Sequence, residues 1–190
     1  MRRFFIEHIP GEGCLISITG KEANHIRNVL RMKPGDSLTL MDGKGHLFEA
    51  IIKESGRKGV EAKIIKTLQA PPPSPVKIHL AQALIKPRHM DLLIQKATEL
   101  GVSSITPFLS ERTALKVSAE QLARKMDHWN EIMKAACKQS GSSSLPALNP
   151  PASFEELIGN GGHEGMLKIL LWEAEKEKDL KAVLRTRVQP

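Results

Sequence analysis

Basic side chains are the groups of this sequence best suited to chemistry, and that chemistry is anion binding. Lys86 and Arg88 lie between an apolar stretch and an amphipathic one, so they are expected at a turn between a strand and a helix. Cations at such a turn can bind an anion together with the N–H groups of the helix N-terminus. Arg2 and Arg3 could likewise place a guanidinium beside a phosphate. The alternatives are a solvated loop for the first pair and the solvated start of an edge strand for the second.

Motifs of other chemistries are missing from the sequence. It contains no pattern typical of a Ser/His/Asp site, a carboxylate pair, a phosphate loop or a dinucleotide-binding loop. The histidines and the two cysteines, Cys14 and Cys137, lack the spacing of a zinc site, so no metal is expected. Neither a signal peptide nor an apolar run long enough to cross a membrane is present, which favours a cytoplasmic protein.

The net charge of +7 is distributed unevenly along the chain. Residues 1–72 carry 12 Lys and Arg against 8 Asp and Glu, residues 73–150 carry 10 against 6, and residues 151–190 carry 6 against 7. A basic surface attracts the phosphates of nucleic acids. The aromatic content of 4% argues against a protein that binds single strands mainly by stacking. The charge therefore favours a nucleic-acid partner, and the alternative is a basic protein without one.

The first 70 residues are predicted to form a small β-barrel. Thr19 and Glu22 match a capping box, which predicts a helix from that point. Many short strands around a single small helix are typical of a closed barrel. The predicted strands cover 2–6, 15–18, 37–41, 46–53 and 59–67. The helix is expected to bury Ala23, Ile26, Val29 and Leu30.

A proline-rich stretch at 71–75 is predicted to be a linker, because its four prolines exclude a helix or a central strand. The linker divides the chain into a barrel domain, 1–70, and a second domain, 76–190.

The second domain begins with a β-α-β pattern, which indicates an α/β fold with a parallel sheet. A strand is predicted from Val76 to Leu84, a helix ends before Gly101, and another strand covers 103–108. Pro107 predicts that this second strand lies at an edge or ends there. The helix is expected to bury one face, formed by Met90, Leu93, Ala97 and Leu100.

The remainder of the chain contains a long helix and an apolar segment. Ser118 and Gln121 match a second capping box, and the stripe from Leu122 to Ala136 predicts the buried face of the helix behind it. The Ser- and Gly-rich run at 138–144 looks like a linker by itself. The apolar segment 166–172 is predicted to be a strand.

Four motifs, in order and at similar spacing, resemble one family over essentially the whole chain. They are Arg3-Phe4-Phe5; His25–Met32 with Gly35 and Asp42-Gly43; Gln95–Val102 with Ile105-Thr106-Pro107 and Ser110-Glu111-Arg112; and Ala135-Ala136-Cys137 with Gln139-Ser140-Gly141 and Pro146. Each is weak alone, but together they are similar to the RsmE family of ribosomal RNA methyltransferases.

The resemblance implies a PUA-like barrel that binds RNA and a SPOUT-type α/β domain that is tied in a trefoil knot and works as a homodimer. It also implies S-adenosylmethionine as cofactor and N3 of a uridine in small-subunit ribosomal RNA as target. Glu99 is expected to be a structural partner of a cation rather than a base. Because cations pair with phosphates, RNA contacts are implied for Arg3, His25, Arg27, Arg31, Lys86, Arg88, Lys96, Arg112 and Gln139.

Two departures from the family pattern bear on the site. Lys138 and Ser142 stand where the family carries a glutamate and an arginine, which weakens the case for an RNA contact in that loop. The family's Gly-Pro-Glu-Gly-Gly loop and its later Leu-Arg-Thr-Glu-Thr segment, which form most of its cofactor pocket, have no match here. Leu171, Trp172 and Glu173 fall where the first cofactor loop is expected, and they could supply one wall.

The second domain is therefore expected to be incomplete at its C-terminus. The 190-residue chain is expected to bind the cofactor weakly or not at all and not to methylate RNA. The catalytic residues stay unassigned. The alternatives are a non-catalytic RNA-binding remnant of the family and, more distantly, a structural dimer whose basic face is incidental.

Overall fold

The computed structural model describes residues 2–72, 74–110, 118–159, 166–171, 174–177 and 179–187. The chain forms two compact units, Met1–Phe154 and Glu155–Pro190. The larger unit contains two β-sheets, each with its own hydrophobic core.

The N-terminal sheet confirms the predicted set of short strands. Its order is β1-β3-β4-β5-β2, with β1 parallel to β3 and the other pairs antiparallel. The sheet curls around a buried core that includes Phe4, Ile18, Ile26 and Leu40, so it has the PUA-like form that the resemblance implies. The strands are β1 (Arg3–Phe5), β2 (Leu15–Ile18), β3 (Ser37–Met41), β4 (Leu47–Gly56) and β5 (Gly59–Leu68).

The helix between β2 and β3 begins where predicted but widens after one turn. Helix α1 covers Gly20–Asn24, with Thr19 at its N-cap, although the Thr19 side chain makes no capping hydrogen bond. A π-helix follows over His25–Val29, closed by a 2.9 Å bond from Leu30 N to the His25 carbonyl. The prediction that Val29 is buried is wrong: it is 63% exposed. Because the π-turn holds an extra residue, the helical period shifts after Ile26, so that Val29 faces solvent while Leu30 still packs against the core.

The second sheet is parallel, and helices α2 (Pro87–Glu99) and α3 (Ala119–Ser140) contribute to its core. Its first strand begins at His79 rather than at Val76, which is 49% exposed, because the ladder with the next strand starts at the pair His79 and Ser104. Leu100 is 84% exposed, so it does not belong to the buried face predicted for α2. The strands are β6 (His79–Ala83), β7 (Ser104–Leu109), β8 (Ala147–Leu148) and β9 (Ala152–Ser153).

The prediction that Pro107 marks a sheet edge or a strand end is wrong. Strand β7 lies in the middle of the sheet, between β6 on one side and β8 and β9 on the other. Pro107 is tolerated because β8 pairs only with Ser104 and Ile105, and β9 pairs only with Phe108 and Leu109. No ladder therefore requires an N–H from Pro107 on that side.

Helix α3 is the main support of the second core. Its predicted capping box is confirmed: Gln121 N donates to Ser118 Oγ at 3.2 Å, and Ser118 N donates to Gln121 Oε1 at 3.0 Å. Trp129 and Met133 are buried as predicted. The Ser- and Gly-rich run that follows is a packed loop rather than a linker, since Ser143 is only 7% exposed.

The smaller unit contains little regular structure in its described residues. Helix α4 (Phe154–Gly159) begins at the boundary between the units, and α5 covers Leu180–Arg187. The strand predicted over 166–172 is not observed at the described residues 166–171. Within the described part of this unit no neighbouring strand offers backbone partners, and Leu170 and Leu171 are each 77% exposed.

Candidate functional site

The segment from His25 to Arg31 holds three of the predicted RNA-contact residues in a locally unusual backbone. His25 is half-buried, with its ring edge-on to Phe4 at 5.8 Å. Arg27 donates from Nη1 to the Arg57 carbonyl at 3.4 Å. Arg31 is exposed and adopts a left-handed conformation, with φ of 51°. The side chains of Arg27 and Arg31 thus lie at the surface, whereas His25 also packs within the barrel.

Arg3 lies between the barrel and the end of α3. Its Nη1 donates to the Lys138 carbonyl at 3.3 Å. Its guanidinium also faces Gly141, the left-handed residue that ends α3, so closely that a Cβ there would lie 3.0 to 3.2 Å from it. A cation is favourable at a helix C-terminus, where the carbonyls lack partners. Arg3 therefore acts as a C-terminal cap that joins the two parts of the larger unit.

Two ion pairs hold α1 against α3. Lys138 Nζ lies 2.8 Å from Glu22 Oε1, with side chains only 24% and 20% exposed. Lys21 Nζ lies 2.8 Å from Glu131 Oε2, in a more exposed position. The hydrogen bond from Lys21 lowers the pKa of Glu131, so this carboxylate stays charged at neutral pH. The first pair uses Lys138, which replaces the glutamate of the family pattern, and its partner is an acid of the barrel.

The turn between β3 and β4 forms a second connection between the barrel and the parallel sheet. Lys44 pairs with Ser144 in an isolated antiparallel bridge, and Leu145 N donates to the Gly43 carbonyl at 2.8 Å. Asp42 shapes the turn by accepting from Lys44 N at 2.7 Å and from the His46 ring at 2.6 Å. Burial alone would raise the pKa of Asp42, but these hydrogen bonds outweigh it and lower the pKa.

The loop after α3 contributes shape rather than reactive groups. Burial raises the pKa of the Cys137 thiol to about 11, so it is protonated at neutral pH and is a poor nucleophile. Ser142, which stands in place of the family's arginine, donates its hydroxyl proton to the Ser144 carbonyl at 2.9 Å. Gln139 is exposed in the last turn of α3.

Lys86 and Arg88 lie at the carboxyl end of β6, as predicted. Both are exposed, Lys86 is the N-cap of α2, and the first turn of this helix contains no acid. Lys96 lies near the other end of the helix, where its Nζ contacts Glu99 Oε2 at 2.7 Å. The hydrogen bonds from Lys96 and Gln95 lower the pKa of Glu99. The pairing supports the expectation that Glu99 is a structural partner rather than a base.

The candidate RNA-contact residues fall at opposite ends of the parallel sheet. Helices that connect parallel strands run back across the sheet, so the last turns of α2 and α3 lie at the amino ends of the strands. This end carries Lys96 and Gln139, and it adjoins Arg3 of the barrel. Lys86 and Arg88 lie at the carboxyl end. Arg112 lies outside the described residues.

Of the three residues predicted to contact the cofactor, the structure describes one, Leu171. Leu171 is 77% exposed, and Trp172 and Glu173 lie outside the described residues. Two open grooves are formed by described residues, one on the barrel near Asp42 and one of about 520 Å³ beside α2, and neither is lined by Leu171. The second is almost wholly apolar, and its lining includes Ile78, Leu80, Leu92, Leu93 and Leu100. Neither groove thus includes a residue predicted to contact the cofactor.

The described residues show neither a metal cluster nor a membrane-spanning helix. No group of three or more His, Cys, Asp and Glu side chains is close enough to hold a metal ion. None of the helices in this part of the chain is both long and apolar enough to cross a membrane.

Sequence reasoning missed the residues that join the barrel to α3. The sequence places Glu22 in a capping box and Asp42 in a family motif, and neither position predicts a contact with the second domain. One available signal was the departure at Lys138, because a charge reversed relative to a family pattern predicts a compensating partner elsewhere. The pair Arg57 and Lys58 at the tip of the β4–β5 hairpin was also overlooked, although two adjacent cations in a turn are visible in the sequence.

Both the N-terminal and the C-terminal part of the chain match models of known protein families. Residues 18–65 match a model described as the RNA methyltransferase PUA domain, and residues 72–189 match one described as the RNA methyltransferase domain. The ribosomal RNA small subunit methyltransferase E of Bacillus subtilis is 30% identical over 83% of this chain and 63% of its own length. That of Buchnera aphidicola from Schizaphis graminum is 31% identical over 78% of this chain and 61% of its own.

Two of the solved structures that resemble this chain are a putative methyltransferase and a ribosomal RNA methyltransferase. A putative methyltransferase from Legionella pneumophila, in complex with its bound cofactor S-adenosylmethionine, has a TM-score of 0.80 and 35% identity. A ribosomal RNA small subunit methyltransferase E from Neisseria gonorrhoeae bound to S-adenosylmethionine has a TM-score of 0.80 and 32% identity. Each comparison covers 84% of this chain and 66% of the other.

The chain spans about 60% of the length of the curated relatives it matches, since the first two are covered over 63% and 59% of their lengths. The curled N-terminal sheet, the parallel sheet that follows it and the two matched models agree with the resemblance seen in the sequence. The chain therefore belongs to the RNA methyltransferase family that includes ribosomal RNA small subunit methyltransferase E.

Proposed function

We propose that the protein containing this chain transfers a methyl group from S-adenosylmethionine to N3 of a uridine in small-subunit ribosomal RNA. The observation that carries this proposal is the order of the two modules: a PUA-like curled sheet precedes a parallel sheet, and both match RNA methyltransferase models. The S-adenosylmethionine-bound relatives support the cofactor.

The proposed division of labour follows the domains expected from the sequence. The barrel, 1–70, binds and orients RNA, the segment 71–75 is a linker, and the domain 76–190 belongs to the methyltransferase part. The contacts between the barrel and α3 support a fixed relation between RNA-binding and catalytic surfaces. Such a relation matters because methyl transfer depends mainly on placing the target nitrogen precisely.

Electrostatic attraction is the proposed source of most of the RNA affinity. The positive charge lies in residues 1–150, in a protein that we propose to be cytoplasmic. Exposed cations of both the barrel and the second domain supply the phosphate contacts. The residues proposed to contact RNA are His25, Arg27, Arg31, Lys86, Arg88, Lys96, Arg112 and Gln139. Arg3 stays in this set, but its guanidinium is already engaged at the end of α3, where it binds the Lys138 carbonyl.

Leu171, Trp172 and Glu173 stay proposed as one wall of the cofactor site. With Leu171 mostly exposed, this wall would bury little of the cofactor. S-adenosylmethionine would supply the methyl group on its sulfonium sulfur. The residues described here hold RNA and orient it, and no base that removes the N3 proton is assigned.

We also propose a homodimer formed through the second domain. The described apolar segment 166–171 is exposed, and so are the apolar side chains beside α2, which a partner subunit could cover. Sedimentation equilibrium should report a dimer at micromolar concentration. A monomer at high concentration would contradict this proposal.

A second candidate function is RNA binding without catalysis. It is favoured by one observation: Leu171, the described member of the three predicted cofactor residues, is 77% exposed and lines neither groove. A methylation assay on small ribosomal subunits separates the two functions: the enzyme modifies one uridine, whereas the remnant binds the same RNA and modifies none.

A further inference from the structure

The surface beside the π-helix carries cations that no described acid neutralises. Residues 25–35 contain Arg27, Arg31 and Lys33 but no Asp or Glu. Arg57 and Lys58 form the exposed tip of the β4–β5 hairpin. Among the described residues, the side chains of Arg31, Arg57 and Lys58 have no hydrogen-bond or ion-pair partner.

Two hydrogen bonds hold these segments side by side. Arg27 Nη1 donates to the Arg57 carbonyl at 3.4 Å, and Gly35 N donates to the Ile52 carbonyl at 2.8 Å. Arg31 lies midway along the chain between these two anchors. The stretch from Ile52 in β4 to Arg57, the residue after β4, is about 17 Å long at the usual rise of a strand. These two bonds therefore keep the Arg31 segment alongside the end of β4 that leads into the hairpin tip.

The backbone at Arg31 is held in an unfavourable conformation. Arg31 is the one non-glycine residue with positive φ in the described part of the chain, and it follows Leu30, the C-cap of the π-helix. Ile26 and Met32, both buried, fix the chain on either side of this distortion. Such strain persists where the surrounding packing imposes it, and it is frequent at functional sites. Here its effect is to hold the Arg31 side chain at the surface.

We propose that Arg31, Arg57 and Lys58 form one RNA-backbone contact surface, called here the basic crest. This inference rests on the proposed function and adds the hairpin tip to its RNA-binding residues. Phosphate is the ligand that an unpaired row of guanidinium and ammonium groups recognises. Glu54 and Glu61 are the acids of the hairpin nearest to its tip, and they limit the crest to that tip, whereas Glu49 pairs with Lys66. Beside the Arg31 segment, the Asp36 carboxylate accepts a hydrogen bond from Lys33 N at 2.8 Å.

The test measures the binding of deproteinised small-subunit ribosomal RNA to the 190-residue chain across a range of salt concentrations. The double variant Arg57→Gln with Lys58→Gln should raise Kd about tenfold at moderate salt, because each lost phosphate contact lowers the slope of log K against log salt by about 0.7 to 0.9. A matched control, Arg124→Gln with Lys125→Gln, removes the same charge from α3. The control should leave the slope close to that of the parent chain.

Arg31→Gly separates binding from folding. Glycine adopts a positive φ without strain, so this variant should keep or raise the unfolding temperature while it weakens RNA binding several-fold. A purely structural Arg31 would instead give a variant with unchanged RNA affinity.

The inference fails if the crest variants bind RNA with the parent's slope and affinity, and in that case the proposed function still stands. If the parent chain binds no RNA at all, both fail. If the crest and the α3 control weaken binding equally, the positive charge acts as a diffuse field and the crest is not a site.

Discussion

Replacing Lys138 with glutamate should destabilise the larger unit by about 2 kcal/mol, since breaking a partly buried ion pair leaves an uncompensated charge. The Lys138 ammonium lies 2.8 Å from Glu22 Oε1, and both side chains are mostly shielded from water. The other Glu22 oxygen is buried and has no partner among the described residues. The substitution would place two carboxylates in this space and would separate α1 from α3. For a unit of this size, the unfolding temperature should fall by about 4 to 8 °C.

The charge-swapped variant, Glu22→Lys with Lys138→Glu, should recover most of this loss, which urea unfolding can measure as a double-mutant cycle. A matched control is Arg124→Glu, because Arg124 and Glu120 form a pair on the same helix with side chains 77% and 76% exposed. The control should cost less than about 1 kcal/mol. If the swapped variant is no more stable than Lys138→Glu alone, the pair does not hold the barrel against α3.

Gly59→Ala should destabilise the barrel by about 2 to 3 kcal/mol, because the substitution brings both backbone strain and a collision. Gly59 has φ of 156°, and an added Cβ would lie 2.6 Å from the Ile18 carbonyl oxygen. That oxygen belongs to the β2 backbone, which is paired with β5, so it cannot move without breaking the ladder. The hairpin tip would move instead, and the basic crest with it.

Gly56→Ala is the matched control for Gly59→Ala. Gly56 pairs with Gly59 across the hairpin, and a Cβ there would meet no atom within 4 Å. Thermal unfolding should show little change for Gly56→Ala and a clear loss for Gly59→Ala. Equal effects of the two substitutions would contradict the packing of the hairpin against β2 described above.

The sequence predicted well those features that depend on local pattern. The capping box at Ser118 works because its two hydrogen bonds join residues three apart. The β-α-β order followed from a helical stripe placed between two apolar segments. The resemblance to a methyltransferase family was also visible, since its motifs are short, ordered and spread over the whole chain.

Features that depend on distant partners were predicted less well. Pro107 was expected at an edge or a strand end, because sequence does not reveal that two separate strands leave a gap beside it. Segment 166–171 was expected to be a strand on its apolar character alone, but a strand also needs a neighbour. Val29 was expected inside because the helical period was assumed to continue, whereas the π-helix changes it.

The candidate site shows the same division. The sequence identifies which residues are cations, but only the structure shows what each one contacts. Arg3 caps α3 and Lys96 pairs with Glu99. The Arg31 side chain has no partner among the described residues. The partners of Arg3 and Lys138 lie more than 100 residues away in the chain. Pairings across such separations leave no periodicity in a sequence.

The most direct test of the proposed activity is to incubate the complete natural protein with small ribosomal subunits and labelled S-adenosylmethionine, and then to map the product by mass spectrometry of RNA fragments. Subunits purified from cells that lack the gene provide the unmodified substrate, and the isolated 190-residue chain provides a second arm. We expect N3-methyluridine at one position with the complete protein and no methylation with the 190-residue chain. Absence of methylation with the complete protein, while RNA binding persists, would contradict the enzyme and favour the RNA-binding remnant.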